Sequence, residues 1–161
     1  MTPDELKTLT YFRDGERYLN NTQVDWSTID YHTMQCVELL RQYLDEPIIL
    51  IRGAHPNRPS AIDACCPKKP LSAVFLALTR LQYASWGIYS GGSFHIDVRT
   101  FHGYPARWAG IKIEEEGILK DRGLACLEAY RANGWIYLLY NHDLSLEGIN
   151  LVCELSGKRC G

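Results

Sequence analysis

The stretch WGIYSGGSFHIDVRTFHGYPARW, residues 86–108, constrains the fold more than any other part of the chain. Within it, Phe94, Ile96 and Val98 alternate with His95, Asp97 and Arg99. Successive side chains of a strand point to opposite faces. The spacing therefore predicts a strand over 93–99 with one apolar face and one face carrying an imidazole, a carboxylate and a guanidinium in a row. Gly87, Gly91, Gly92 and Gly103 fall in the same stretch. Two readings of the polar face stand side by side. Either it lines a site, or it is the wet side of a half-exposed edge strand.

The surrounding chain supplies helices and further strands. Thr2 and Pro3 have the chemistry of a helix cap and a first helical residue, which predicts a short helix from Pro3. Asn20-Asn21 signals a turn. In STIDYHTMQCVELLRQYL, the residues Ile29, Thr33, Met34, Val37, Leu40 and Leu44 fall on one helical stripe, with Ser27 expected as N-cap and Asp30 three residues on. Pro47 should end that helix, and residues 48–51 read as a short buried strand. Residues 52–70, RGAHPNRPSAIDACCPKKP, hold four prolines and a glycine and read as a loop bearing Arg52, His55, Arg58 and Asp63. Leu71, Val74, Phe75, Leu78 and Leu81 predict a second helix over 70–85. Beyond Trp108, EEEGILKDRGLACLEAYRANG reads as a helix stopped by Asn133-Gly134. Residues 135–140 and 149–155 read as strands, paired in a hairpin around NHDLSLEG. The mixture predicts an α+β fold in a single domain, residues 1–161.

Bulk properties narrow the function. A chain of 161 residues suits one substantial core. Its formal net charge of -2 disfavours a general nucleic-acid binder, which needs a basic surface. No apolar run reaches the ~20 residues of a membrane span. MTPDELKTLTYF lacks the regions of a signal peptide, so synthesis in a cytoplasm without signal-dependent export is expected. The six cysteines are then expected to be free thiols, although Cys153 and Cys160 could close a loop under oxidising conditions.

Two imidazoles and a carboxylate, with water in the fourth position, are a common ligand set for catalytic zinc. His55, Asp63 and His95 offer that set. Asp97 could be a ligand, a base for the metal-bound water, or the group orienting an imidazole. Arg52, Arg58 and Arg99 could hold a substrate carboxylate or an oxyanion. The plainer alternative makes His55 an ordinary loop residue and Asp63 a turn cap. A cysteine nucleophile at Cys65 or Cys66 working with His95, or Cys65 as a substitute metal ligand, completes the options.

Residues 28–108 resemble the M15 zinc peptidases of the D-alanyl-D-alanine carboxypeptidase-like group, found in phages and bacteria. VELLRQYLDEPIILIRGAH is similar to the family's opening segment, and GIYSGGSFHIDVR with ARW to its closing His-x-Asp-x-Arg … Arg-Trp signature. The resemblance implies a hedgehog/DD-peptidase-like α+β domain, a small antiparallel sheet with packed helices, followed by a helix-and-hairpin extension over 109–161. It also implies Zn2+ held by His55, Asp63 and His95, with catalytic support from Asp97, Arg52 and Arg58. The implied substrate is a peptidoglycan peptide. The implied setting is a lytic enzyme released by lysis or carried in a virion. Three positions depart from the pattern. Pro56 stands where the first zinc histidine belongs, one residue after His55. The motif's glycine is missing, and Gly92 occupies the place of a glutamate base. A non-catalytic descendant, such as a virion component with a protein partner on its C-terminal extension, is the alternative.

Overall fold

The computed structural model describes residues 1–12, 26–52, 61–98, 105–138 and 145–157. Seven strands are β1 (Ile49–Arg52), β2 (Ala61–Cys65), β3 (Ser85–Tyr89), β4 (Ser93–Asp97), β5 (Arg107–Lys112), β6 (Glu128–Ala132) and β7 (Trp135–Leu138). They join in one sheet with the order β1-β2-β4-β3-β5-β7-β6. Every pairing is antiparallel except β3 with β5, which is parallel. The fold is α+β, and its sheet is larger than expected and mixed.

Five helices complete the described chain: α1 (Pro3–Thr8), α2 (Tyr31–Leu44), α3 (Leu71–Leu78), α4 (Glu116–Asp121) and α5 (Leu146–Ser156). Thr2 caps α1 through a reciprocal bond pair with Glu5, and Pro3 opens it. The apolar stripe of α2 is buried as its spacing predicts. The cap of α2, however, is Asp30, whose carboxylate accepts from Thr33 N at 2.9 Å. Ser27 sits instead in a 3-10 turn before the helix. The second predicted helix stops at Leu78, and Leu81 still reaches the core from the turn that follows.

Helices α2, α3 and α5 pack against the central strands. They meet the sheet face built from Ile62, Phe94, Ile96, Ile88 and Ile111, all fully buried. Phe75 of α3 meets Trp86 of β3 edge-on, with centroids 5.7 Å apart. The opposite face carries His95 and Asp97.

Three expectations past Trp108 are corrected. The predicted helix over 114–134 is a 3-10 turn, the short α4, a second 3-10 turn and strand β6. The hairpin joins β6 to β7 through Asn133-Gly134 rather than forming around NHDLSLEG. Both turn residues have positive φ, 54° and 84°, the conformation of a tight primed turn for which Asn-Gly is suited. Residues 149–155 lie in α5 and not in a strand, because Ser145 caps a helix there by accepting from Gly148 N. The part beyond 108 is thus woven into the sheet. β5 and β7 extend it beside β3, and α5 covers the back of β3 and β5.

No described helix is long and apolar enough to cross a membrane. Cys36, Cys66, Cys126 and Cys153 are free. Cys65, against expectation, is disulfide-bonded.

Candidate functional site

Strand β4 is central, flanked by β2 and β3, so the edge-strand reading of its polar face is overturned. That face is buried as well. His95 is 7% exposed and Asp97 1%. A buried imidazole and carboxylate require partners, and sheet register supplies them. Asp63 on β2 pairs with His95 on β4, and Ala61 with Asp97. Facing residues of adjacent strands lie ~5 Å apart, close enough for Asp63 and His95 to touch. Asp63 Oδ1 lies 2.9 Å from His95 Nδ1, and Asp97 Oδ2 lies 2.8 Å from His95 Nε2.

The imidazole is thus strung between two carboxylates, one on each edge. Only the imidazolium has two N–H groups to donate. Burial is the largest single influence on His95 and opposes its charge. The hydrogen bonds and charges of Asp63 and Asp97 together outweigh it and hold its pKa above the ordinary histidine value. The side chain of Asp63 is 25% exposed and that of Asp97 1%. Solvent and solutes therefore approach the centre from the Asp63 edge, and Asp97 forms its floor.

Trp108 makes the side wall. In sheet register, Gly87 on β3 stands opposite both His95 on β4 and Trp108 on β5. The indole crosses the bare glycine: a Cβ on Gly87 would lie 2.0 Å from Trp108 Nε1. The ring reaches His95 with centroids 5.1 Å apart at 51°. The reverse crossing occurs one row away, where Tyr89 of β3 lies over Gly110 of β5, whose added Cβ would meet Tyr89 Cδ1 at 2.8 Å. Trp108 Nε1 donates to the Tyr89 hydroxyl at 2.9 Å. Burial, followed by the charges of Tyr137 and Asp63, pushes the Tyr89 phenol far up, so it remains protonated. Beyond Tyr89 the face continues through Trp135, Tyr137 and Tyr130, with centroid separations of 4.8 Å for Tyr89–Trp135 and 4.5 Å for the stacked Tyr137–Tyr130 pair.

Of the predicted site residues, Asp63, His95 and Asp97 are brought together. Arg52 ends β1 opposite Asp63 in register, which places its backbone beside the centre. His55, Arg58 and Arg99 lie outside the described residues. Among the described residues, no group of three or more His, Cys, Asp or Glu is arranged as a metal shell. The described donors instead form a line, with the imidazole separating its two carboxylates. Cys65, being disulfide-bonded, is neither a thiolate ligand nor a nucleophile. Burial foremost pushes the Cys66 thiol up, away from the reactive thiolate. Gly92, where the resemblance would place a glutamate base, has φ 93° and closes the β3–β4 turn through Gly92 N to Tyr89 O at 2.9 Å. A glutamate there would be strained.

Sequence reasoning missed Gly87, Tyr89 and Trp108 as parts of the site. A signal was available, since a glycine inside a strand marks a close approach by another group. Comparison with protein-family models, with curated proteins and with solved structures finds no match to this chain.

Proposed function

We propose that the chain is a zinc-dependent peptidase acting on peptidoglycan peptides, with Asp63 and His95 as two of the metal's protein donors. The observation that carries this reading is the Asp63–His95–Asp97 line. A metal-bound histidine characteristically presents one nitrogen to the ion and gives its other N–H to a carboxylate. His95 has the supporting half of that arrangement in its bond to Asp97, while Nδ1, bonded to Asp63, is the nitrogen an ion would have to take. Nδ1 faces Asp63 on the solvent side, and Nε2 is tied to the buried Asp97. The donor chemistry fits zinc, with His55 as the third protein ligand in this reading.

Bound zinc would supply Lewis acidity and a water of pKa ~7. The protein's own residues would do the rest. Asp97 holds the imidazole orientation and, by accepting from Nε2–H, fixes the tautomer that leaves Nδ1 as the nitrogen able to take a metal. Asp63, now bonded to Nδ1, would serve as a further metal donor. Arg52, at the end of the strand beside Asp63, and Arg58 would hold the substrate's carboxylate, as a planar fork suits.

A second reading has its own support. With both nitrogens paired to carboxylates, His95 is complete as a buried ion pair without any metal. That suits a non-catalytic descendant, for example a virion component. Metal analysis and peptidoglycan digestion separate the two. The enzyme reading expects one zinc per chain, lost in His95→Ala, and wild-type release of peptide fragments that Asp63→Ala abolishes. Substoichiometric zinc after loading, with digestion equal in wild type and Asp63→Ala, sinks it in favour of the structural reading.

A further inference from the structure

We infer that Trp108 is a positioning residue of the Asp63–His95–Asp97 centre: seated over Gly87 and fixed by the Tyr89 hydroxyl, its indole sets the His95 imidazole. The ligand-holding role rests on the zinc reading, whereas the contact with His95 does not.

Trp108 belongs to β5, two strands away from β4, and would not reach His95 across a strand bearing ordinary side chains. The intervening residue in the row is Gly87. Its missing Cβ is what lets the indole pass: Nε1, Cε2 and Cδ1 would all lie within 2.6 Å of a methyl there. The indole has one polar atom, and that atom is committed to Tyr89 at 2.9 Å. Tyr89 is itself wedged over Gly110 by the mirror of the same device. Two aromatic rings thus cross between two strands, each lying on the other strand's glycine and joined at their tips. This lock holds Trp108 at 3% exposure against His95 at 5.1 Å.

The lock matters for a metal. His95 is held in its plane by two carboxylates, and an ion bound at Nδ1 would take the place of the Asp63 bond. The Asp97 bond and the indole contact then remain to fix the ring. Metal affinity depends on the groups that orient a ligand; removing a ligand's hydrogen-bonded partner costs about 10–100-fold, and losing the indole wall should act in the same direction.

The test uses the full chain with zinc alone and with Co2+ as a visible probe. In Trp108→Leu, zinc affinity measured by chelator competition should fall roughly 10-fold or more, and the Co2+ absorption bands should shift as ligand geometry loosens. Trp108→Phe, which keeps a ring but loses the donor, should fall between. Tyr89→Phe should weaken affinity with the wall still present. Unchanged affinity and an unchanged Co2+ spectrum in Trp108→Leu would overturn the inference while leaving the zinc reading intact. Should Trp108→Leu not fold, the Phe variants at 108 and 89 decide by the same criteria. If wild type takes up no metal, the zinc reading fails and the contact is judged on metal-free protein by 15N NMR. Shifted or broadened His95 ring N–H signals in Trp108→Phe support positioning, and superimposable ones reject it.

Discussion

At the residue scale, His95 is the group whose loss should be felt most. Replacing it with alanine strips the buried Asp97 of its Nε2–H partner and Asp63 of its Nδ1–H partner. Breaking a buried ion pair by removing one member costs about 3–5 kcal/mol. Asp97→Asn should cost less, since the amide oxygen still accepts from Nε2. Urea denaturation at pH 6 checks both, and a loss below about 1 kcal/mol in His95→Ala would show that the pair contributes little. The same site predicts a pH dependence. The folded pKa of His95 lies above its unfolded value of ~6.5. Its stabilisation is therefore fully present below pH ~6.5 and is lost as pH rises through the folded value. Metal-free wild type should lose stability over that window, with a slope up to ~1.4 kcal/mol per pH unit. His95→Ala should lack this slope. Unfolding midpoints measured across the window decide it, and a wild-type slope identical to that of His95→Ala would refute the assignment. The alternation in FHIDVR made His95 and Asp97 visible from sequence, because period two is local. Their burial was not visible, because it depends on β2 and β3 arriving on either side.

At the element scale, local chemistry was legible wherever a single stretch of chain decided the outcome. The α1 cap and the α2 stripe are examples. It failed where tertiary pairing decided. LEAYRA follows a helical stretch and has good helix formers, yet β6 forms because β7 offers it a partner through the Asn133-Gly134 turn. The apolar cluster of Ile149, Leu151 and Val152 is too short to separate strand from helix by period. The deciding signal was Ser145 as N-cap. The turn can be tested directly. Gly134 has φ 84° and open space around its missing Cβ. Gly134→Ala should therefore destabilise through backbone strain alone, by about 1–2 kcal/mol. Gly117→Ala, on α4 with no contact within 4 Å, should be neutral or stabilising by up to ~1 kcal/mol. Thermal melts should fall in Gly134→Ala and stay or rise in Gly117→Ala, and an unchanged or raised midpoint in Gly134→Ala would mean the turn does not have the geometry described.

At the scale of the whole molecule, the C-terminal third determines whether the centre can form at all. The resemblance ends at residue 108, which invites a picture of a core with an appendage. The sheet order argues otherwise. β5, which carries Trp108, pairs with β7 on its outer edge, and β7 with β6. α5 buries Ile149, Leu151 and Val152 in the same core as Ile88 and Ile111. Fully burying three such side chains contributes roughly 5–9 kcal/mol at 1.5–3 kcal/mol each, comparable with the entire 5–15 kcal/mol by which a domain of this size is stable. A chain ending at residue 112 would lose that burial. It would also expose β5 as a bare sheet edge, a template for aggregation. Truncation there should abolish cooperative unfolding and leave a species degraded rapidly in limited proteolysis. If instead the 1–112 fragment unfolds cooperatively with a resistant core, residues 113–161 are a separable addition. The Gly87–Trp108–Tyr89 lock would then have to stand without the strands that flank it.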